Sequence, residues 1–395
     1  MNRIFTYFLT VYLASLLPIF FTNEDVYNNA NIIFPFFYAP IFIIVSIFCF
    51  VAGNFFGKLL FPKKNQVIIK ESLGDFNIWL SYFLCMLGVT VSYLYIISSG
   101  ITIEEYFVRI ILTESAGLYE GGNKRVLING DDGGLPGVIK MFNILPISIY
   151  LTTFYLLNFS VVVNKKRLQM LNTFALICSI VRTLFLLDRL ALLPILVCNL
   201  YLIIEKRTVL KKINIALFIV VVGAFNFITQ QRGYSNIFEG FINYLHSHLL
   251  NLEILLRTFE KHNYWGKNSL FSAIHYSIYH DFFGGTIEID TYSFGDNPAQ
   301  NFISFAYMDF GYFTFFIFLL LGIIVYWIDI QFNNSSNNVI KFFYFLLLSN
   351  FISFLIVPSH TGIEFWLSML VLIYFSFYSS CRKKDNLHKC TNNSK

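Results

Sequence analysis

KKRLQMLNTFALICSIVRTLFLLDRLALLPILVCNLYLIIEKR, residues 165–207, decides how the chain is threaded. Its apolar length, 168 to 204, has room for two spans of roughly 18 residues each. Asp188-Arg189 divides that length, and basic clusters stand at both ends: Lys165-Lys166-Arg167 before it, Lys206-Arg207 to Lys211-Lys212 after it. Short loops rich in Lys and Arg stay on the cytoplasmic side, so two consecutive inside anchors demand one trip out and back. The stretch therefore reads as a hairpin with Asp188-Arg189 at a tight outer turn.

The rest of the chain is of the same kind. With 56% hydrophobic and 19% aromatic residues and only 13% charged, an ordinary soluble domain is excluded. The composition points to an all-α polytopic membrane protein whose first partner is the lipid bilayer. The net charge of +5 is read for topology, so no nucleic-acid partner is expected. Apolar windows near 4–22, 33–57, 76–99, 138–163, 168–187, 190–204, 213–229, 302–328, 341–357 and 363–380 give about ten spans. The first, following Arg3, reads as an uncleaved span because it is long and lacks a small-x-small cleavage site. Arg3, Lys58, Lys63-Lys64, Lys165 to Arg167, Lys206 to Lys212, Lys341 and Arg382-Lys383-Lys384 all fall inside if both termini are cytoplasmic. The six cysteines (49, 85, 178, 198, 381, 390) show neither a disulfide framework nor zinc spacing and read as packing or tail residues. No internal repeat supports an inverted-repeat transporter.

This threading puts most acids and six of the seven histidines outside, five of those histidines in the larger of two large loops. The first, 100–136, holds Glu104, Glu105, Glu114, Glu120, Lys124-Arg125 and the turn-rich run Asn129 to Gly134. That run lacks the later oxygen ligands of a calcium loop and reads as a solvated turn. The main loop, 230–301, separates spans seven and eight. From Asn236 to His262, Phe238, Phe241, Ile242, Leu245, Leu249, Leu252, Leu256 and Phe259 recur at three- and four-residue spacing. Glu239, Asn243, Ser247, Arg257 and Lys261 lie away from that face. Such an amphipathic helix lies along the outer membrane boundary, covers the bundle, or packs within a loop domain.

Several residues in this outer region can carry chemistry. Arg182, inside an apolar span, marks a functional site or a buried ion pair with Asp188. Arg189 at the outer turn either presents its planar fork to a diphosphate or snorkels to water. Arg232 directly follows span seven, with Gly233 allowing close backbone approach. Arginines gathered on one outer site can neutralise a pyrophosphate leaving group. His246 and His248 point about 160° apart on a helix, so they cannot chelate one ion, but either can serve as general base. His275, the adjacent His280-Asp281 pair, and His360 near Glu364 are further candidates. Asp309 is either a carboxylate favoured at a helix N-terminus or a group of the site.

These features resemble the Wzy-type polymerases of O-antigen and capsule repeat units. The resemblance lies in about ten spans, a short hairpin broken by Arg189, a large outer loop beginning Gln231-Arg232-Gly233, and NPAQNFISFAYMDFG (297–311) running into FFIFLLLG (315–322). It implies a GT-C-like bundle in the bacterial inner (cytoplasmic) membrane with its site on the periplasmic face. There a glycan leaves undecaprenyl diphosphate and joins the terminal sugar of an incoming lipid-linked repeat unit. It further implies diphosphate binding by Arg189 and Arg232, with Arg182 as a third arginine, and a base among His246, His248, His275 and His280, with Asp309 nearby. Neither metal nor other cofactor is implied. The implied partners are undecaprenyl-diphosphate-linked oligosaccharides, a chain-length regulator and a flippase. The alternatives are an O-antigen ligase and, in a different class, a flippase or transporter of lipid-linked oligosaccharide.

Overall fold

A computed structural model describes residues 3–17, 38–62, 72–73, 77–106, 142–205, 212–231, 235–258, 302–334, 338–349 and 365–374, with single gaps at 99, 101, 160 and 163, plus the isolated positions 108 and 139. In chain order the helices are α1 (Arg3–Ala14), α2 (Tyr38–Leu60), α3 (Ile78–Ser98), α4 (Leu145–Phe159), α5 (Lys165–Leu186), α6 (Leu193–Glu205), α7 (Lys212–Gln231), α8 (Ile237–Thr258), α9 (Phe302–Phe310), α10 (Thr314–Asn334), α11 (Asn338–Ser349) and α12 (Phe365–Tyr374). Among the described residues the one extended pairing is two residues long, Ser72–Leu73 against Val161–Val162. Five helical stretches are long and apolar enough to cross a bilayer: Tyr38–Leu60, Ile78–Ser98, Phe142–Phe159, Lys165–Leu186 and Phe302–Phe332. The chain is a helical membrane protein, and each of the ten apolar windows holds a helix. It divides into two compact units.

The first unit contains α1, α2, α8, α9 and α10. Glycines bring the backbones of α2 and α10 together. A Cβ on Gly53 would lie 1.9 Å from the Leu319 carbonyl oxygen, and one on Gly322 would lie 2.2 Å from the Phe50 oxygen. Gly57, four residues after Gly53, sits against the Tyr326 ring. Lipid tails give no hydrophobic drive for helix association, so small residues that bring backbones together do that work. The opposite stripe of α2, Ile41, Ile44, Phe48, Val51 and Phe55, is exposed, as a lipid-facing surface must be. Tyr12 of α1 fills the corner between Phe50 and Phe318, with ring centroids 6.0 and 5.5 Å away.

The expected span 302–328 lies within the helical stretch Phe302–Phe332, which is interrupted by a 3-10 turn. Gly311 takes a left-handed φ of 57° and opens the 3-10 turn Gly311–Phe313, separating α9 from α10. Glycine adopts this conformation without steric cost. The whole stretch of 31 residues would run roughly 46 Å as one helix, beyond a hydrocarbon core of about 30 Å.

In the second unit α4 is central, buried on all sides from Leu145 to Leu156. Helices α3 and α5 pack along it, with α6 and α11 beside it. Gly88 of α3 takes the ring of Pro146, whose missing N–H costs nothing in the first turn of a helix. Polar ties sit within this apolar unit: Asn172 donates to the Tyr150 carbonyl (3.1 Å) and to Thr153 Oγ1 (2.9 Å). Phe154, Tyr155 and Phe159 stack with Phe342 and Phe345 of α11. Where the sequence predicts a hairpin, α5, the 3-10 turn Arg189–Leu192 and α6 follow one another; α5 is long enough to cross a bilayer and α6 has 13 residues. The four described cysteines are free and lie within helices.

Candidate functional site

The second unit builds its polar centre at the end of α5. Leu187 adopts a left-handed conformation (φ 46°, ψ 37°), which ends the helix and turns the chain back. The Asp188 amide then donates to the Thr183 carbonyl at 3.2 Å, closing the six-to-one bond of a Schellman turn. That reversal brings Asp188 against Arg182, a pairing that six residues of straight helix would not allow. Arg182 Nη1 meets Asp188 Oδ2 at 2.8 Å, while Nε and Nη2 donate to Asn143 Oδ1 at 3.1 and 2.7 Å. With its side chain only 3% exposed, the guanidinium is a buried charge paired and hydrogen-bonded within its own unit. The ion pair expected between Arg182 and Asp188 is present.

A third contact secures the same turn from the start of the 100–136 segment. Thr102 and Glu105 form a capping box for the single helical turn Ile103–Glu105. The turn delivers Tyr106, whose hydroxyl donates to the Leu184 carbonyl at 2.5 Å. Leu184 belongs to the last turn of α5, and its carbonyl also accepts from the Leu187 amide at 3.4 Å. Burial of Tyr106 pushes its phenol above the ordinary range. Arg189 opens the 3-10 turn immediately after this clamp. The remainder of 100–136, apart from Gly100, Thr102 to Tyr106 and Val108, lies outside the described residues.

The first unit builds its polar centre on α8. The helix starts at a side-chain cap: Asn236 Oδ1 accepts from the Glu239 amide at 2.9 Å, and the Glu239 carboxylate accepts from the Ser235 amide at 2.7 Å and from its hydroxyl. Those hydrogen bonds from Ser235 hold the Glu239 carboxyl below its usual range.

Beyond that start, α8 keeps the expected two faces in part, with Leu245, Leu249 and Leu252 buried and Glu239 and Arg257 exposed. From His248 to Leu255 every residue is buried, so no polar face meets solvent there, while Phe238 is 79% exposed. The reason is that α8 packs against both α2 and α9, which encloses its second half. His246, His248 and Asn251 are all buried in it. Among the described residues no three His, Cys, Asp or Glu side chains group as a metal site.

Glu253 closes this arrangement. It is 0% exposed, and its carboxylate accepts from the Ala39 amide (2.7 Å) and the Tyr38 amide (3.4 Å), the first turn of α2. Arg257, one turn further along α8, reaches the same carboxylate through Nε (2.9 Å) and Nη2 (2.7 Å). Its guanidinium carbon stands 5.5 Å from the centroid of the Tyr38 ring. Helix N-terminal amides favour an anion, and here the chain supplies its own.

Asp309 is buried in the last turn of α9, before the Gly311 break. This corrects the reading of a carboxylate favoured by a helix N-terminus, because α10 begins only at Thr314. Arg232, His275, His280 and His360 lie outside the described residues. Sequence reasoning passed over Asn143, Glu253 and Arg257. The available signal was Glu253-x-x-x-Arg257, an i,i+4 pair within the apolar run LNLEILL (250–256). Comparison with known families, with curated proteins and with solved structures finds no match to the chain.

Proposed function

We propose that this protein is an inner-membrane glycosyltransferase that polymerises undecaprenyl-diphosphate-linked oligosaccharide repeat units into O-antigen or capsular polysaccharide. On this reading it has about ten spans in a GT-C-like bundle, both termini in the cytoplasm, and its site on the periplasmic face. The acceptor hydroxyl of the incoming unit attacks the anomeric carbon of the growing glycan. The new C–O bond forms as the bond to the lipid diphosphate breaks, the electron pair leaves with the diphosphate, and the hydroxyl proton passes to an imidazole.

The observation that supports this reading best is the turn at Arg189. A reaction that expels a diphosphate needs fixed positive charge where negative charge develops. Arg189 follows a turn held by the Schellman bond, by the Arg182–Asp188–Asn143 clamp and by Tyr106. Arg182 spends three donors on that clamp, so Arg189 and Arg232 carry the diphosphate role and Arg182 supports the turn. The base is His246 or His248, both on α8; His275 and His280 remain the sequence-level alternatives.

The test is chain lengthening by purified full-length protein supplied with radiolabelled lipid-linked repeat units. Wild type lengthens them; Arg189→Ala and Arg232→Ala do not, while both insert normally in the membrane. A flippase leaves the units unextended. A ligase is separated by its deletion phenotype, which leaves no repeat on the acceptor, whereas loss of a polymerase leaves one.

A further inference from the structure

We infer that Glu253 is a positioning residue: a single buried carboxylate that latches α8 onto the first turn of α2 and thereby sets where the α8 histidines stand. The inference about the histidines rests on the proposed function; the latch itself does not. Three observations carry it. The carboxylate is fully enclosed, and its contacts include two α2 amides and two guanidinium nitrogens. The amide contacts join residues 214 and 215 positions apart, so they constrain tertiary placement and not local helix. Arg257 is itself held, between Glu253 and the Tyr38 ring, which closes a ring of contacts around the start of α2.

Helix geometry connects the latch to the histidines. His246 precedes Glu253 by seven residues, two turns, which returns it to within about 20° of the same stripe and roughly 10.5 Å along the axis. His248 lies about 160° around the helix from His246. Fixing the rotation of α8 at Glu253 therefore fixes which histidine shares the stripe directed at α2 and which lies opposite. A rotation of about 160° would exchange those environments, and one residue step, 100°, would already turn His246 away from α2. Position along the axis is fixed as well, because Oε2 must reach the Ala39 amide.

The experiment uses the full-length protein in lipid nanodiscs carrying Leu252→Cys, a position that is 0% exposed, and a membrane-impermeant maleimide with the labelled residue located by mass spectrometry. In the otherwise wild-type protein Leu252→Cys stays protected. With Glu253→Ala added it labels at least tenfold faster, while the native Cys85 and Cys198, buried in the second unit, stay protected. Glu253→Gln, which keeps an acceptor for the α2 amides but loses its charge, labels at an intermediate rate. Unchanged labelling of Leu252→Cys in the Glu253→Ala protein overturns the latch. Equal exposure of Cys85 and Cys198 also overturns it, because the carboxylate would then hold the whole fold and not α8.

Chain lengthening by Glu253→Gln separates the two levels. The expected result is at least a tenfold loss of turnover with the apparent KM for the lipid-linked unit unchanged, the signature of a misplaced base. If α8 opens yet lengthening is unaffected, the latch stands and the assignment of the base to an α8 histidine falls.

Discussion

The clamp at Arg182 and the latch at Glu253 solve the same problem at opposite ranges. Each buries one charge and pairs it with an opposite charge and further hydrogen-bond partners. Arg182 finds Asp188 six residues away, through a turn its own helix makes; Glu253 finds Tyr38 and Ala39 more than two hundred residues away. The counter-charges differ too: the side chain of Asp188 is 15% exposed beside a 3% exposed arginine, whereas that of Arg257 is 33% exposed beside a fully buried glutamate. A local clamp stiffens a turn, and a long-range latch places one helix against another. Breaking the first should cost stability most, and breaking the second should cost the placement of α8.

That comparison is tested most severely by Asp188→Ala. It leaves the Arg182 guanidinium buried without its counter-charge, and the expected loss is about 3–5 kcal/mol, seen as a large drop in the unfolding midpoint in detergent. Adding Arg182→Met should recover most of it, since an apolar side chain of similar length needs no partner. If the double variant is as unstable as the single, the charge pair is not what holds the turn.

Glu253→Ala should cost less, about 2 kcal/mol, because Arg257 is free to return to water while two helix N-terminal amides lose their acceptor. A loss as large as that of Asp188→Ala would erase the distinction between clamp and latch. Tyr106→Phe removes one hydrogen bond to the Leu184 carbonyl and should lower stability by about 1 kcal/mol in the same melt. No change there would remove the start of the 100–136 segment from the support of the Arg189 turn.

The smallest effect belongs to Glu239. Its carboxyl is held below the ordinary range by hydrogen bonds from Ser235, so its folded pKa lies under its unfolded one. The stability it adds is therefore fully present above the unfolded value, about 4.3, and is lost as pH falls through the folded value. Glu239→Gln should melt slightly below wild type at pH 7 and level with it once the wild-type Glu239 carboxyl is protonated in both folded and unfolded states. A difference that persists at the acid end would assign the cap to packing and not to charge.

How much of this was legible in the sequence follows from the same contrast of range. The helices α5 and α6 and the turn between them were readable because apolar length and its interruption at Asp188-Arg189 are properties of one short stretch. The Arg182–Asp188 pair was half readable: both residues stood out, but the left-handed Leu187 that brings them together carries no glycine to announce it. In the second half of α8 nothing in the sequence pattern marked Asn251 and Glu253 as buried, because helices distant in sequence enclose them. The break at Gly311 was concealed by apolar residues on both sides of one permissive glycine. The Gly53-x-x-x-Gly57 spacing gains its meaning only from Gly322, which no local pattern links to it.

The central claim, that this outer machinery lengthens a lipid-linked glycan, is tested most directly by the surface polysaccharide profile of a strain lacking the protein, complemented with wild type, Arg189→Ala or Arg232→Ala. The account predicts a ladder collapsed to core plus one repeat unit, restored by wild type and by neither variant despite normal membrane levels. A full ladder in the strain lacking the protein would contradict it.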